Sequence, residues 1–234
     1  MTSDHDTPAR PAGLPPYAIA RQGRRARYDA ASVHAILDAG LVAHVGFVAD
    51  GRPMVIPMAY GRDGDTLFIH GATTTRIIRG VAEDVAEDVA KDVQVCLTVT
   101  LIDGIVAARS AFHHSVNYRS VVVHGAARHV TDPAEHDHAL RVITEHLLPG
   151  RWDEVRPMLA KERKATGVLA VRIAAASAKI RTGGPVDDDA DYALPVWAGV
   201  LPVTTAIGRP IDDGRVAEDT PPPPSLAAAR RKFA

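Results

Sequence analysis

The sequence predicts a mainly β, α+β protein, in which an antiparallel barrel of about six or seven strands carries helices at its ends. Three observations predict it. Short runs of β-branched and apolar residues follow one another closely along the chain. Asp-Gly pairs at 50–51 and 103–104 separate some of these runs, and such pairs are strong hairpin signals. No strand-helix-strand unit recurs, as a parallel sheet would require. Closure into a barrel also removes the exposed edges of apolar strands.

Local signals define the individual elements. Asp29 is placed to cap a short helix that ends at Gly40. The VAED repeat keeps its valines on one face of a helix over 72–92, and Asp132-Pro133 opens a later helix. In chain order, the predicted elements are a helix ending at Gly40, strands over 41–49, 53–60 and 66–70, a helix over 72–92, a hairpin turning at 103–104, a long strand from 119, helices over 134–148 and 153–166, and strands over 167–177 and 200–204.

One domain over 28–208 is expected between two tails. Residues 1–27 contain scattered prolines and arginines and predict a flexible N-terminal tail. Residues 209–234 contain four consecutive prolines, which cannot enter a helix interior or a central strand. This proline-rich C-terminal segment is therefore predicted to be a mobile tail or a strap on the surface.

Composition excludes several classes of protein. The chain has 234 residues, a formal net charge of -1 and 46% hydrophobic residues, which argues against bulk disorder and against broad nucleic-acid binding. Its one cysteine, Cys96, excludes an internal disulfide and a cysteine-based zinc site. No metal site is expected, because the histidine spacings do not match a zinc site. No run of 18 apolar residues and no secretory pattern is present, so we expect a cytoplasmic protein without a membrane partner.

Three segments carry residues suited to binding. The first, HGATTTR at 70–76, lies where a strand leads into a helix, and its hydroxyls, Arg76 and the helix amides suit a phosphate. Plain helix capping by Thr73 or Thr74 is the alternative. The second is SVNYRSVVVHG at 115–125, which also fits an ordinary hairpin arm with polar ends.

The third segment is PVWAGV at 195–200, which contains Trp197. Only 5% of the residues are aromatic, so a tryptophan beside a loop is a candidate cover for a flat ligand ring. The alternative is a buried core residue, because tryptophans are heavily buried on average.

In order, the three segments resemble the pyridoxamine 5'-phosphate oxidase-like, FMN-binding split-barrel superfamily. The similarity covers about residues 28–208 and is closest to the branch of flavin-nucleotide-binding and nitroimidazole-resistance proteins. The resemblance implies a split barrel, bound FMN, and a homodimer whose two FMN sites lie at the shared interface.

The resemblance also implies roles for individual residues. The FMN phosphate would lie at the strand-to-helix turn, the ring beside the second strand, and the tryptophan segment near the ring. His70 matches a histidine beside the active centre and is the candidate catalytic residue. The implied cofactor-binding residues are Val55, Ile56, Pro57, Tyr60, His70, Gly71, Thr74, Thr75, Arg76, Asn117, Tyr118, Arg119, Ser120 and Trp197.

The function implied is an FMN-dependent oxidoreductase that passes electrons from NAD(P)H to a small-molecule substrate. Ile77 and the ending Trp197-Ala198-Gly199 lack the basic residues of the true oxidases, which argues against pyridoxamine phosphate oxidation. A non-catalytic flavin carrier is the first alternative. A haem-binding split barrel is the second, favoured only by the 11 histidines, and a deazaflavin is not separated from FMN.

Overall fold

The structure is a computed structural model of the chain, and it describes residues 12–86, 93–217 and 219–233. Within these residues the chain forms ten strands and five α-helices. The strands are β1 (Ala26–Arg27), β2 (Ala43–Ala49), β3 (Arg52–Met58), β4 (Tyr60–Asp63), β5 (Thr66–Ala72), β6 (Val93–Ala107), β7 (Ser115–His129), β8 (Thr166–Arg172), β9 (Ala175–Arg181) and β10 (Gly199–Pro202). The helices are α1 (Ala30–Ala39), α2 (Arg76–Ala86), α3 (Pro133–Leu147), α4 (Ala160–Ala165) and α5 (Pro224–Lys232).

The described strands form a mainly antiparallel sheet with flanking helices, which confirms the predicted fold class. The hydrogen-bonded order is β3-β2-β6-β7-β8-β5-β4, with β1, β9 and β10 attached to it. The β2–β3, β4–β5, β5–β8 and β7–β8 pairs are all antiparallel. β3 lies at one end of this order, so one of its edges faces no other described strand.

The chain divides into two compact units. The first unit comprises Met1–Gly40, Thr98–Val123 and Ala175–Thr204. The second unit comprises Leu41–Leu97, His124–Ala174 and Thr205–Ala234. In the first, β1 pairs with β9 and β10 pairs with the end of β6. In the second, the core packs α3 against β5 and β8, with Phe68, Leu140, Ile143 and Val168 buried.

Local capping and turn chemistry match the predictions. The Asp29 carboxylate accepts a hydrogen bond from the Ser32 amide at 2.8 Å and starts α1. The Asp132 carboxylate accepts a hydrogen bond from the Glu135 amide at 2.8 Å and starts α3. Asp50 and Gly51 have φ values of 53° and 70°, the left-handed pair that a two-residue hairpin needs.

The hairpin predicted at Asp103-Gly104 is wrong. β6 runs straight through these residues to Ala107. Gly104 pairs with Pro202 of β10, and a Cβ built on Gly104 would lie 2.9 Å from Val200 Cγ1. The glycine therefore serves the close approach of β10 rather than a turn.

Other bounds also differ from the predictions. The helix predicted over 153–166 is reduced to α4 and a 3-10 turn at Trp152–Glu154, because Pro157 cannot lie in a helix interior. The long strand β7 begins at Ser115 rather than at residue 119. α2 is described to Ala86, and the rest of its predicted range, 87–92, lies outside the described residues.

The described fold extends further in both directions than the predicted 28–208 domain. Ala26 is fully buried in β1. At the other end, the last of the four prolines, Pro224, occupies the first turn of α5, where a missing amide hydrogen costs nothing. Ser225 and Phe233 are buried, and Ser225 donates its hydroxyl to Glu154 in a 2.5 Å hydrogen bond.

None of the helices in the described ranges has the length and apolar character needed to cross a membrane.

Candidate functional site

The turn between β5 and α2, predicted to bind a phosphate, leads directly from the strand into the first residues of the helix. The Thr75 amide donates to the Ala72 carbonyl at 2.8 Å, and the Arg79 amide donates to the Thr75 carbonyl at 2.9 Å. Thr75 therefore immediately precedes the helix, while Thr73 and Thr74 are exposed in the turn. The first amides of a helix have no partner inside it and carry partial positive charge, which favours a bound anion.

Gly71 keeps this turn compact. A Cβ built on Gly71 would lie 3.1 Å from the Thr75 hydroxyl oxygen, closer than most real contacts. The absence of a side chain thus lets the Thr75 hydroxyl lie over the end of β5.

The first turn of α2 carries two arginines and no acidic residue. Arg76 and Arg79 are exposed, are three residues apart, and line a cavity of about 250 Å³ together with Asp50 at the β2 end. Arg76 is the first residue of this helix, so its guanidinium lies close to the helix start, whereas Arg79 has interactions of its own within the protein.

Arg76 also connects the turn to the strand predicted to flank the ring. Its Nη1 donates to the Met54 sulfur of β3 at 3.7 Å. Val55 is 65% exposed, Pro57 is exposed and Ile56 is half-buried, so the β3 edge presents apolar surface beside the turn. The second unit therefore brings together the phosphate-type turn and the three residues predicted beside the ring.

Tyr60 does not belong to this surface. Its side chain is fully buried and its ring lies 4.8 Å from that of His146, centroid to centroid. The prediction that Tyr60 contacts the cofactor is therefore wrong, because its ring is used in core packing of the second unit.

His70 lies on β5 immediately before the turn and is half-buried. Its Nδ1 is buried and finds no hydrogen-bond partner among the described residues. Burial lowers the pKa of His70, so the ring is neutral at pH 7. An unpartnered buried nitrogen is costly in an otherwise satisfied fold and marks a position where a ligand is expected.

In the first unit, two of the predicted cofactor residues have protein partners. Asn117 is buried, donates to the Gly183 carbonyl at 3.0 Å and accepts from the Arg181 guanidinium. Arg119 forms a bidentate ion pair with Asp103, with Nε–Oδ2 of 3.0 Å and Nη2–Oδ1 of 2.8 Å. Both arrangements organise the protein itself, and their partners are distant in sequence.

Tyr118 and Ser120 lie between these residues and are half-buried. The Lys179 ammonium lies 5.9 Å from the centroid of the Tyr118 ring. Their predicted cofactor contacts stay predictions.

Trp197 is 68% exposed, so the alternative of a core tryptophan is wrong. Its indole lies against Gly199, where a built Cβ would be 2.9 Å from the Trp197 Cζ2. The ring is accessible, and its predicted contact with a flat ligand stays a prediction.

The buried Asp187 carboxylate holds the loop before Trp197 in place through hydrogen bonds. Asp187 accepts from the Arg109 amide and from its guanidinium, both at 3.0 Å. The Arg109 guanidinium also lies 4.9 Å from the centroid of the Tyr192 ring. Burial raises the pKa of Asp187, but the hydrogen bonds from Arg109 outweigh it, and the pKa is lowered overall.

Because the pKa of Asp187 is lowered in the folded protein, its stabilising interaction with Arg109 is sensitive to acid. The ionised Asp187 stabilises the fold above its unfolded-state pKa of about 3.9, and that contribution is lost as the pH falls through its lower folded-state value. We expect Asp187→Asn to lower the melting temperature at pH 7 and the deficit to shrink below about pH 4. Melting curves of both proteins from pH 7 to pH 2.5 check this, and a constant deficit would contradict it.

Comparisons with known proteins identify the family of the chain. The pyridoxamine 5'-phosphate oxidase family model matches residues 29–180. The flavocytochrome Anf3 from Azotobacter vinelandii is 40% identical, with a TM-score of 0.81, and the match covers 90% of this chain and 94% of that one. An FAD and haem binding protein from Mycobacterium smegmatis is 36% identical, with a TM-score of 0.80, and covers 88% and 97%.

A third similarity bears on the fold alone. A protein from Bacteroides thetaiotaomicron, described as a 5-nitroimidazole antibiotic resistance protein, is 21% identical, with a TM-score of 0.50, and covers 66% of this chain and 86% of that one. No curated protein matches the chain. The family match spans most of the chain, and two relatives exceed a third in identity over nearly their whole length. The chain therefore belongs to the pyridoxamine 5'-phosphate oxidase family of split-barrel proteins.

Proposed function

We propose that this protein binds a flavin nucleotide, FMN or FAD, and works in the cytoplasm as an oxidoreductase between NAD(P)H and a small-molecule substrate. One observation carries the proposal: Arg76 is the first residue of α2 and contacts Met54 on the exposed β3 edge. The bound flavin would supply the electron transfer. A non-catalytic flavin carrier is one alternative to this enzyme function.

The phosphate of the FMN moiety suits the turn at 73–76. It would accept hydrogen bonds from the Arg76 amide at the helix start and from the turn hydroxyls, with the Arg76 guanidinium supplying charge, because the Thr73 and Thr75 amides already donate to the Ala165 and Ala72 carbonyls. Hydrogen bonds between charged partners contribute about 1.5–3 kcal/mol each, and the helix N-terminus adds about 0.3–1 kcal/mol for an anion. These magnitudes are sufficient to make the turn the main anchor of the cofactor.

The flat ring system suits the β3 edge. Exposed Val55 and Pro57 provide apolar contact, and the unpaired edge of β3 provides backbone donors and acceptors for the polar end of the ring. Arg76 contacts Met54 on the same strand, so the turn proposed for the phosphate and the strand proposed for the ring are adjacent in the second unit.

His70 is assigned a role in turnover rather than in flavin binding. Its neutral ring and unpartnered Nδ1 can exchange a proton with a substrate near the turn. We expect His70→Ala to keep flavin affinity within about threefold and to lower kcat by 10²-fold or more. Flavin titration and steady-state kinetics on the same preparation check both; unchanged kinetics would remove His70 from the mechanism.

A homodimer with flavin sites at its interface is part of the proposal. The first unit exposes large apolar side chains, among them Phe112 at 88% and Trp197 at 68%. We infer that these side chains contribute to an association surface, because large exposed apolar areas mark such surfaces. Light scattering of the purified protein is expected to give twice the 24.9 kDa mass of one chain, and a monomer mass would contradict it.

Haem binding is the second candidate function, supported by the two relatives described as a flavocytochrome and as an FAD and haem binding protein. Burial lowers the pKa of His70, His124 and His129, which leaves neutral imidazoles, the form that ligates iron. Added haem is expected to give a Soret band that shifts in one of the three His→Ala variants. Identical spectra in all three would exclude these residues as ligands.

The flavin proposal is tested by reconstitution. The purified protein is titrated with FMN and with FAD while flavin fluorescence is followed, and NADH or NADPH is then added without oxygen. Saturable binding followed by bleaching of the flavin bands is expected. Binding without bleaching favours the carrier, and no binding of either flavin contradicts the proposal.

A further inference from the structure

We propose that a second cavity, bounded by α3, α4 and the start of β8, binds the adenylate half of FAD, so that this chain prefers FAD to FMN. The inference rests on the proposed flavin function. The cavity has a volume of about 440 Å³, within the usual range of about 300–1,000 Å³ for small-molecule sites. Its polar lining residues are Thr73, His129, Thr131, His136, Arg163 and Lys164, together with Thr166.

His136 presents a buried ring nitrogen in the cavity that needs a hydrogen-bond partner. Its Nε2 lies 2.9 Å from the Thr166 carbonyl oxygen, which only accepts, so Nε2 carries the proton. In the neutral ring Nδ1 is then an acceptor. This atom is buried and has no hydrogen-bond partner among the described residues, and the whole residue is only 8% exposed. A buried acceptor without a donor calls for a ligand N–H.

Charge at the cavity suits a phosphate. The lining residues include no acidic side chain. The nearest carboxylate, Asp137, has an oxygen 4.0 Å from His136 Nδ1, but its two oxygens accept from Arg163 Nε at 2.8 Å and Nη2 at 2.7 Å. Lys164 is exposed at the rim and makes no ion pair within the described ranges. A ligand with an exocyclic amine and a phosphate could donate a hydrogen bond to His136 Nδ1 and form an ion pair with Lys164.

The cavity shares a wall with the phosphate turn. Thr73 lines the cavity and belongs to the turn, and its amide donates to the Ala165 carbonyl of α4 at 3.1 Å. Ala72, the last residue of β5, pairs with Thr166 of β8. A dinucleotide anchored at 73–76 can therefore extend past Thr73 into the cavity. FMN ends at its phosphate and would leave His136 Nδ1 and Lys164 unused.

The test compares FAD, FMN and 5'-AMP binding to the full chain by calorimetry. Wild type is expected to bind FAD at least tenfold more tightly than FMN, and AMP is expected to compete with FAD. Lys164→Met and His136→Phe should each weaken FAD binding by about tenfold and leave the affinity for FMN within about twofold of wild type. Lys161→Met, on the same helix but outside the cavity lining, is the matched control and should change neither.

The outcomes separate this inference from the proposed function. Equal affinities for FAD and FMN in wild type, or an equal loss of both in Lys164→Met, would overturn the adenylate site while leaving flavin binding intact. AMP binding that Lys164→Met abolishes, without any flavin binding, would support the cavity and overturn the flavin proposal. Failure of all three ligands to bind would overturn both. His136→Phe alters a buried residue, so Lys164→Met, at the surface, keeps the test valid if the former misfolds.

Discussion

Replacing Arg76 with methionine is expected to weaken flavin binding by about 100-fold, which corresponds to about 2.7 kcal/mol. The variant keeps an unbranched apolar side chain at this position but removes the guanidinium, and with it both the charge beside the helix start and the Nη1 contact with Met54. Charge-assisted hydrogen bonds to a phosphate are the strongest polar contacts available at this turn. Fluorescence titration with FMN and FAD measures the change, and the affinity of wild type is expected to fall more steeply with salt than that of the variant.

A matched control uses Arg172, an exposed arginine on β8 away from the turn. Arg172→Met changes the net charge by the same amount and should leave the flavin affinity within about twofold. Equal effects of the two substitutions would assign the loss to general electrostatics. An unchanged affinity in a folded Arg76→Met protein would remove the turn as the phosphate anchor.

Gly61→Ala is expected to give a large loss of stability, about 3 kcal/mol. A Cβ built on Gly61 of β4 would lie 2.7 Å from the Val142 carbonyl oxygen and 2.8 Å from the Ile143 Cα and nitrogen. These are backbone atoms of α3, so no side-chain rotation relieves the overlap. The helix must move away from β4, and its packing in the core of the second unit is lost with it.

Gly80→Ala is the control for Gly61. Gly80 lies within α2, and a Cβ built on it would have no atom within 4 Å. Alanine there reduces the entropy of the unfolded chain and is expected to be neutral or to stabilise by about 0.5–1 kcal/mol. Urea unfolding followed by circular dichroism measures both. A Gly61→Ala protein as stable as wild type would show that α3 does not depend on this close approach.

Much of the fold could be predicted because its signals are local. The caps at Asp29 and Asp132 and the turn at 50–51 depend only on neighbouring residues. The Asp-Gly at 103–104 carries the same local signal, yet its residues serve remote partners: Asp103 binds Arg119, and Gly104 receives β10. No local pattern separates a turn glycine from one that admits a neighbouring strand.

Dependence on remote partners also limits how much of the candidate site could be predicted from the sequence. The phosphate-type turn could be predicted, because a strand, three threonines, an arginine and a helix follow directly in sequence. Tyr60 could not be distinguished from a ligand contact, since its burial depends on His146, which lies on α3. The unpartnered Nδ1 of His136 was equally hidden, because it requires the Thr166 carbonyl, 30 residues away, to fix the tautomer.

The identity of the ligand tests the central claim most directly. The full chain is purified without added cofactor, heated to release bound molecules, and the released fraction is analysed by absorbance and mass spectrometry, with reconstitution if it is empty. We predict a yellow protein that releases a flavin nucleotide, or an empty one that takes up added FAD or FMN in one equivalent per chain. A colourless protein that takes up neither flavin would contradict the account.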